Sequence, residues 1–185
     1  MKRLILMGPI GCGKSTMIQT ALGHDITRAG GFLTVRKLDD TQLLGFDLTS
    51  PATPQIGYRF LDFENGVARN DWVFSDFGVG YLQTPASFSV CDEFGGIELL
   101  VDEFYNQLLI FLKSDIPCIG VLKTEASAAA MAEKVPLGKL YSQRYQSLLQ
   151  ILKNDAETTL LSTCGWQDTA AVSAIAQWVN QYVRR

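Results

Sequence analysis

Apolar residues fall in short unbroken runs separated by amphipathic stretches, and this alternation sets the expected fold. Leu4-Ile5-Leu6-Met7 is a continuous run of strand length. So is 116–122, which opens after Asp115 and carries Pro117, a residue that points to the strand's start. Residues 87–93 read as a strand ending in two carboxylates, and Thr158-Thr159-Leu160-Leu161 as a last short strand. Helical patterns lie between them. Residues 15–22 read as helix, and from Ile97 the apolar positions 97, 101, 104, 108 and 111 alternate steps of four and three, with 112 four beyond 108, which is a helix face. Residues 126–132 are helical by propensity. Pro136, at a first-turn position, opens a longer helix with Leu137, Tyr141, Tyr145, Leu148 and Leu152 on one face. A terminal helix puts Ala171, Ile175, Trp178 and Tyr182 on one stripe.

Two β-rich runs, 30–38 and 43–48, surround Asp39-Asp40-Thr41 and predict a hairpin. Residues 50–54 read as a loop. Asn65-Gly66, between 60–63 and 67–68, marks the turn of a second hairpin. Phe77-Gly78-Val79-Gly80-Tyr81 is glycine-rich and reads as mobile, so the middle third, 49–86, is expected to be a β-rich elaboration over the core. Strands alternating with helices imply an α/β fold: a mainly parallel sheet flanked by helices, with antiparallel hairpins at one side. Without repeats, linkers or low-complexity tracts, residues 1–185 are expected to form a single domain. Ligands in such sheets bind beyond the carboxyl ends of the strands.

One such end carries chemistry. Gly8-Pro9-Ile10-Gly11-Cys12-Gly13-Lys14-Ser15-Thr16 is G-x-x-x-x-G-K-[ST] between an apolar strand and a helix. Its glycines let successive N–H groups point into one concavity that cradles phosphate oxygens, and the helix start adds unpaired N–H groups and partial positive charge. Lys14 reaches β- and γ-phosphates, and Ser15 offers a hydroxyl to Mg²⁺. Pro9 and Ile10 are permissive fillers, and Thr16 supports the first helical turn. The pattern implies a nucleotide bound through its phosphates. The second signal is Asp92-Glu93 at a strand end. An Asp there helps hold Mg²⁺, and a Glu directly after it can polarise a water aimed at the γ-phosphate.

Composition narrows the partners. With 47% hydrophobic and 19% charged residues and a net charge of −3, the chain is neither disordered nor a dedicated nucleic-acid binder. No window approaches the ~18 apolar residues of a membrane span. The apolar run after Met1-Lys2-Arg3 is too short for a signal peptide. The four cysteines, 12, 91, 118 and 164, include no C-x-x-C pair and read as free thiols, so a cytoplasmic protein is expected. Cys12 is either oxidation-sensitive or simply a small side chain tolerated in the loop.

Three blocks taken together resemble a known family. Residues 8–16, then Gly31-Phe32-Leu33-Thr34-x-Arg36 with Gly45-Phe46, then Asp92-Glu93-Phe94-Gly95-Gly96-Ile97-Glu98-Leu99 resemble the small nucleoside-triphosphatases, also called cancer-related nucleoside-triphosphatases. The resemblance runs over residues 1 to 123. It implies a RecA-like P-loop core, Mg²⁺ dependence and slow hydrolysis of several nucleoside triphosphates, with Asp92 as the metal-side carboxylate and Glu93 as the water-activating base. Two departures stand out. Gly96-Ile97 replaces a Gly or Lys-Met filler, and Ser162-Thr163-Cys164-Gly165-Trp166 replaces an Asn-Arg-Asp-like run near the base. Base recognition is therefore not carried over.

Other residues keep two readings each. Trp166 stacks on a purine or packs in the core. Arg36 stabilises transition-state charge or is a surface strand residue. Arg144 is a lid arginine or an exposed helix position. Glu98 caps a helix start or positions the shell of the catalytic water, and His24, the single histidine, is a helix-end cap. The expected function is Mg²⁺-dependent hydrolysis of ATP, GTP and other triphosphates by Glu93 and Lys14. A nucleotide or small-molecule kinase whose acceptor binds at 49–86, and a nucleotide-dependent switch with a protein partner, are the alternatives.

Overall fold

Leu4, Ile5 and Leu6 are all fully buried, yet they belong to two different cores. Ile5 faces one side of a sheet, Leu4 and Leu6 the other, as side-chain alternation along a strand requires. An unbroken apolar run is therefore the signature of a strand covered on both faces. The structure, a computed structural model, describes residues 1–64 and 68–184.

The strands are β1 (Arg3–Met7), β2 (Gly30–Asp39), β3 (Gln42–Thr49), β4 (Gly57–Asp62), β5 (Ala68–Arg69), β6 (Ser89–Phe94), β7 (Cys118–Leu122) and β8 (Thr158–Ser162). They form one eight-stranded sheet in the order β5-β4-β3-β2-β6-β7-β1-β8. From β2 to β8 the neighbours are parallel; β3, β4 and β5 extend the sheet antiparallel. The helices are α1 (Lys14–Leu22), α2 (Val79–Gln83), α3 (Asp102–Leu112), α4 (Glu125–Ala132), α5 (Gly138–Asn154) and α6 (Thr169–Tyr182). α1 and α6 pack on the face of Leu4 and Leu6, where Met17, Ile18, Ile175 and Trp178 are buried. The remaining helices share the core of Ile5, Phe32 and Phe104 on the opposite face. Each fully buried leucine or phenylalanine in these layers stabilises the fold by about 1.5–3 kcal/mol.

The β2–β3 hairpin turns at the expected place, with Asp40 at a positive φ of 49°. β4 and β5 pair antiparallel as a second hairpin, while its expected turn residues Asn65 and Gly66, with Val67, lie outside the described residues. Beyond β4 and β5 the middle third departs from the expected β-rich elaboration. Residues Val73–Gly78 form a π-helical turn that runs into α2. Tertiary packing overrides local propensity there: Phe74 is buried, Phe77 stacks on Tyr58 with centroids 3.5 Å apart, and Gly78 is bare because the Phe104 ring lies against it.

Two helix starts also differ. The pattern from Ile97 is split at Val101, with a 3₁₀ turn over Ile97–Leu100 before α3. Arg144 accounts for the break. Its Nη1 donates to the Leu99 carbonyl at 2.8 Å, its Nη2 pairs with Asp102, and its guanidinium lies over the Tyr105 ring. It is thus a structural clamp, neither a lid arginine nor a solvated one. α5 starts at Gly138 with exposed Leu137 as its N-cap, so Pro136 precedes the helix and Leu137 is not on the buried stripe. Tyr141, Tyr145, Leu148 and Leu152 are.

Candidate active site

The parallel register brings the carboxyl ends of β1, β6, β7 and β8 to one edge. Leu6 pairs with Val121, Val121 with Asp92, and Met7 with Ser162. Everything that follows those strands in sequence therefore meets in one region.

After β1 the chain turns through Gly11 and Gly13, at φ 80° and 93°, values that glycine adopts without strain. Gly13 is the N-cap of α1. No side chain caps this end and no acid stands in the first turn, so its N–H groups are left for an anion. Lys14 is buried and arches over the loop, its Nζ donating to the carbonyls of Pro9 at 2.7 Å and Gly8 at 3.0 Å. Ile10, Gly11, Gly13, Lys14, Ser15 and Thr16 line a cleft of about 500 Å³, whereas Gly8, Pro9 and Cys12 are not part of its lining. The Sγ of Cys12 lies 3.8 Å from the Thr163 carbonyl.

Ser15 Oγ donates to Asp92 Oδ1 at 2.8 Å, joining residues that are distant in sequence. Asp92 is 2% exposed. Burial pushes its carboxyl up to about 7; the Ser15 hydrogen bond opposes this, and the neighbouring Glu93 adds to it. Glu93 lies on the cleft wall. The β6–β7 register shifts between Asp92 and Phe94, which separates the two acids: one points down at Ser15, the other out to the cleft.

Two partners of Glu93 escaped the sequence reading. Its backbone N–H donates to Thr34 Oγ1 at 3.0 Å, and its carboxylate pairs with Lys123 Nζ at 3.1 Å. Thr34 stands on β2, and Lys123 directly follows β7. Thr34 lies within a strand and Lys123 just past one, each beside the acids, and the rule that ligands meet strand ends was the signal that would have found Lys123. A second, mainly apolar cavity opens beyond Glu93, between Phe46, Phe60, Ile97 and Met131. Glu98 lines it, buried, with Oε1 accepting the Gly96 N–H at 2.7 Å. Burial raises the Glu98 carboxyl, while N–H groups and the Lys123 charge oppose the rise. Glu98 thus orients the 3₁₀ turn. Arg36 is an exposed residue on the cleft wall, and His24 is exposed just past α1. Of the two readings of Trp166, core packing fails: Trp178 is the fully buried indole, and Trp166 is 50% exposed.

The described residues contain no cluster of three or more His, Cys, Asp or Glu side chains placed to hold a metal, and no helix long and apolar enough to cross a membrane. Oxygen donors do converge at Ser15 and Asp92. A hydroxyl and a carboxylate suit a hard cation that arrives bound to phosphates and keeps several waters, and Mg²⁺ is the cation of that kind.

A family model described as NTPase matches residues 3–151. Among solved structures, a human cancer-related nucleoside triphosphatase is 16% identical with a TM-score of 0.67, covering 97% of each chain. THEP1 from the hyperthermophile Aquifex aeolicus is likewise 16% identical, with a TM-score of 0.63 and 99% of each chain covered. No curated protein matches this chain. The two structures share its fold: a P-loop sheet flanked by helices.

Proposed function

The chain belongs to the NTPase family, and from there we propose that it hydrolyses the terminal phosphoanhydride bond of ATP, GTP and other nucleoside triphosphates with Mg²⁺, giving diphosphate and phosphate. The observation that carries this reading is that Glu93 lines the same cleft as Lys14 and Ser15, with Asp92 hydrogen-bonded to Ser15 from behind. N–H groups of the loop and of the first turn of α1 bind phosphate oxygens, and Lys14 exchanges its loop carbonyls for β- and γ-oxygens. Ser15 and Asp92 would hold Mg²⁺, which supplies charge neutralisation between the β- and γ-phosphates when bound. Glu93 accepts a proton from water as the water oxygen bonds to the γ-phosphorus. The bridging P–O bond breaks, and its electron pair leaves on the diphosphate. The four free thiols fit a reducing cytoplasm.

A kinase reading has one observation in its favour. Phe60 and Leu61 of the middle third line the cavity beyond Glu93, where an acceptor hydroxyl would sit. The deciding experiment measures phosphate release from ATP, GTP, CTP and UTP with Mg²⁺. Turnover should fall at least ~100-fold in Glu93→Gln with nucleotide binding kept, and Lys14→Ala should lose binding. Wild-type protein that binds nucleotide but releases no phosphate, or a Glu93→Gln variant that hydrolyses normally, overturns the hydrolase reading.

A further inference from the structure

β1 lies between β7 and β8, and the loop after it is flanked differently on its two sides. Asp92, Glu93 and Lys123 come from the β6–β7 side. A triphosphate with its γ end at Glu93 therefore sends its nucleoside end toward the β8 side. There residues 162–166 are clasped to the loop backbone to backbone. The Thr163 N–H donates to the Met7 carbonyl at 2.8 Å. A Cβ on Gly8 would stand 2.1 Å from the Thr163 carbonyl oxygen, and one on Gly165 would stand 2.2 Å from that of Cys12, so both positions need glycine for this approach. The turn closes with the Asp168 N–H on the Gly165 carbonyl at 2.9 Å, and Asp168 then caps α6.

What this clasp presents is Trp166. Its Cδ1 and Nε1 lie 3.4 Å from where a Cβ on Gly13 would stand, so the indole faces the N-cap of α1. Half of the indole stays open to solvent. Beside it runs an apolar cleft between α1 and α6, walled by Met17, Ala21, Val172 and Ile175, with no charged side chain in its lining. Such a surface offers stacking area and almost no means to read the polar edge of a base.

We propose that Trp166 is the platform on which the nucleobase of the bound nucleotide stacks, and that this subsite grades bases by stacking area, purines above pyrimidines, without telling adenine from guanine. The proposal rests on the nucleoside-triphosphatase reading and adds the nucleoside end to it.

Binding of ADP, GDP, CDP, UDP and inorganic pyrophosphate, with Mg²⁺, tests it without turnover. ADP and GDP should bind wild type within ~3-fold of each other and tighter than CDP and UDP, with quenching of tryptophan fluorescence. Trp166→Ala should weaken ADP and GDP roughly ten-fold and close the purine–pyrimidine gap, while pyrophosphate binds as before. Trp166→Phe should keep ADP affinity within ~3-fold, because a ring remains, and lose the quenching. Unchanged ADP affinity in Trp166→Ala overturns the proposal and leaves the nucleotide site standing. A parallel loss of pyrophosphate overturns it as well, since the indole would then only brace the loop. Wild type that binds neither nucleotide nor pyrophosphate overturns the nucleotide reading itself, and the platform with it.

Discussion

Lys123 Nζ stands 3.1 Å from Glu93 Oε1, the two residues leaving the carboxyl ends of adjacent parallel strands. Both are anchored from behind. The Lys123 N–H donates to the Phe94 carbonyl at 2.9 Å, Tyr145 Oη donates to the Lys123 carbonyl at 2.6 Å, and Thr34 holds the backbone of Glu93. The ion pair spans the wall between the nucleotide cleft and the cavity beyond it. Lys123 is thus a positioning residue for the glutamate. Lys123→Ala should lower kcat roughly ten-fold or more through misplacement of Glu93, with KM little changed, and Lys123→Arg should restore part of the loss. Steady-state kinetics on the two variants checks this split.

Ser15 and Asp92 should govern the response to Mg²⁺. Chelation with EDTA should abolish phosphate release. Ser15→Ala should raise the Mg²⁺ concentration for half-maximal rate by about 10–100-fold, as the loss of an oxygen donor or its orienting bond does. A Mg²⁺ titration at saturating ATP reads the shift.

Two glycines give a matched pair of stability tests. Gly165 has φ 112°, and a Cβ there meets the Cys12 carbonyl oxygen; Gly80 in α2 has open space where a Cβ would go. Gly165→Ala should cost about 1–3 kcal/mol from overpacking, with backbone strain added. Gly80→Ala should gain about 0.4–1 kcal/mol by restricting the unfolded chain. Urea unfolding of the three proteins gives both signs.

Asp155 sets an acid limit on stability. Burial pushes its carboxyl up, but the Thr158 hydroxyl, the Glu157 N–H and Arg3 outweigh that and hold it below its usual 3.8. A folded-state value below the unfolded one means stability that is present above pH 3.8 and is lost as pH falls through the folded value. Arg3, whose guanidinium is 5% exposed and pairs with Asp155 at 2.7 Å, is then left without its counter-charge. Asp155→Asn should melt below wild type at pH 7, and the two Tm values should converge only as pH falls through the folded-state value, below 3.8, where the carboxyl of wild type becomes neutral too. Thermal melts across that range check the sign.

Much of this was legible because the signals are local. The glycine loop, the run 4–7 and the turn at 39–41 each carry their structure within a few residues, and β1, β2, β3 and α1 stand where those patterns put them. The helical course of Val73–Gln83 was not legible, since Gly78 and Gly80 argue against a helix locally and only Phe104, Tyr58 and the buried Phe74 decide for it. The break at Val101 likewise depends on Arg144, a residue of a later helix. Ser15, Asp92 and Glu93 could be named from motifs, whereas Lys123 and Thr34 become their neighbours only through strand order, which spacing along the chain does not encode. Trp166 has the same history. Nothing in its local sequence separates an indole over the loop from one in the core.

Because β1 is shared by β7 on one side and β8 on the other, the groups on the two flanks reach the loop through separate strands and hold no hydrogen bond in common. Changes made on them should combine additively in free energy. Within 162–168 the exposed Trp166 can then vary while Gly165 stays fixed by the clasp, and on the proposed roles substrate range and turnover become traits that selection or design can alter separately.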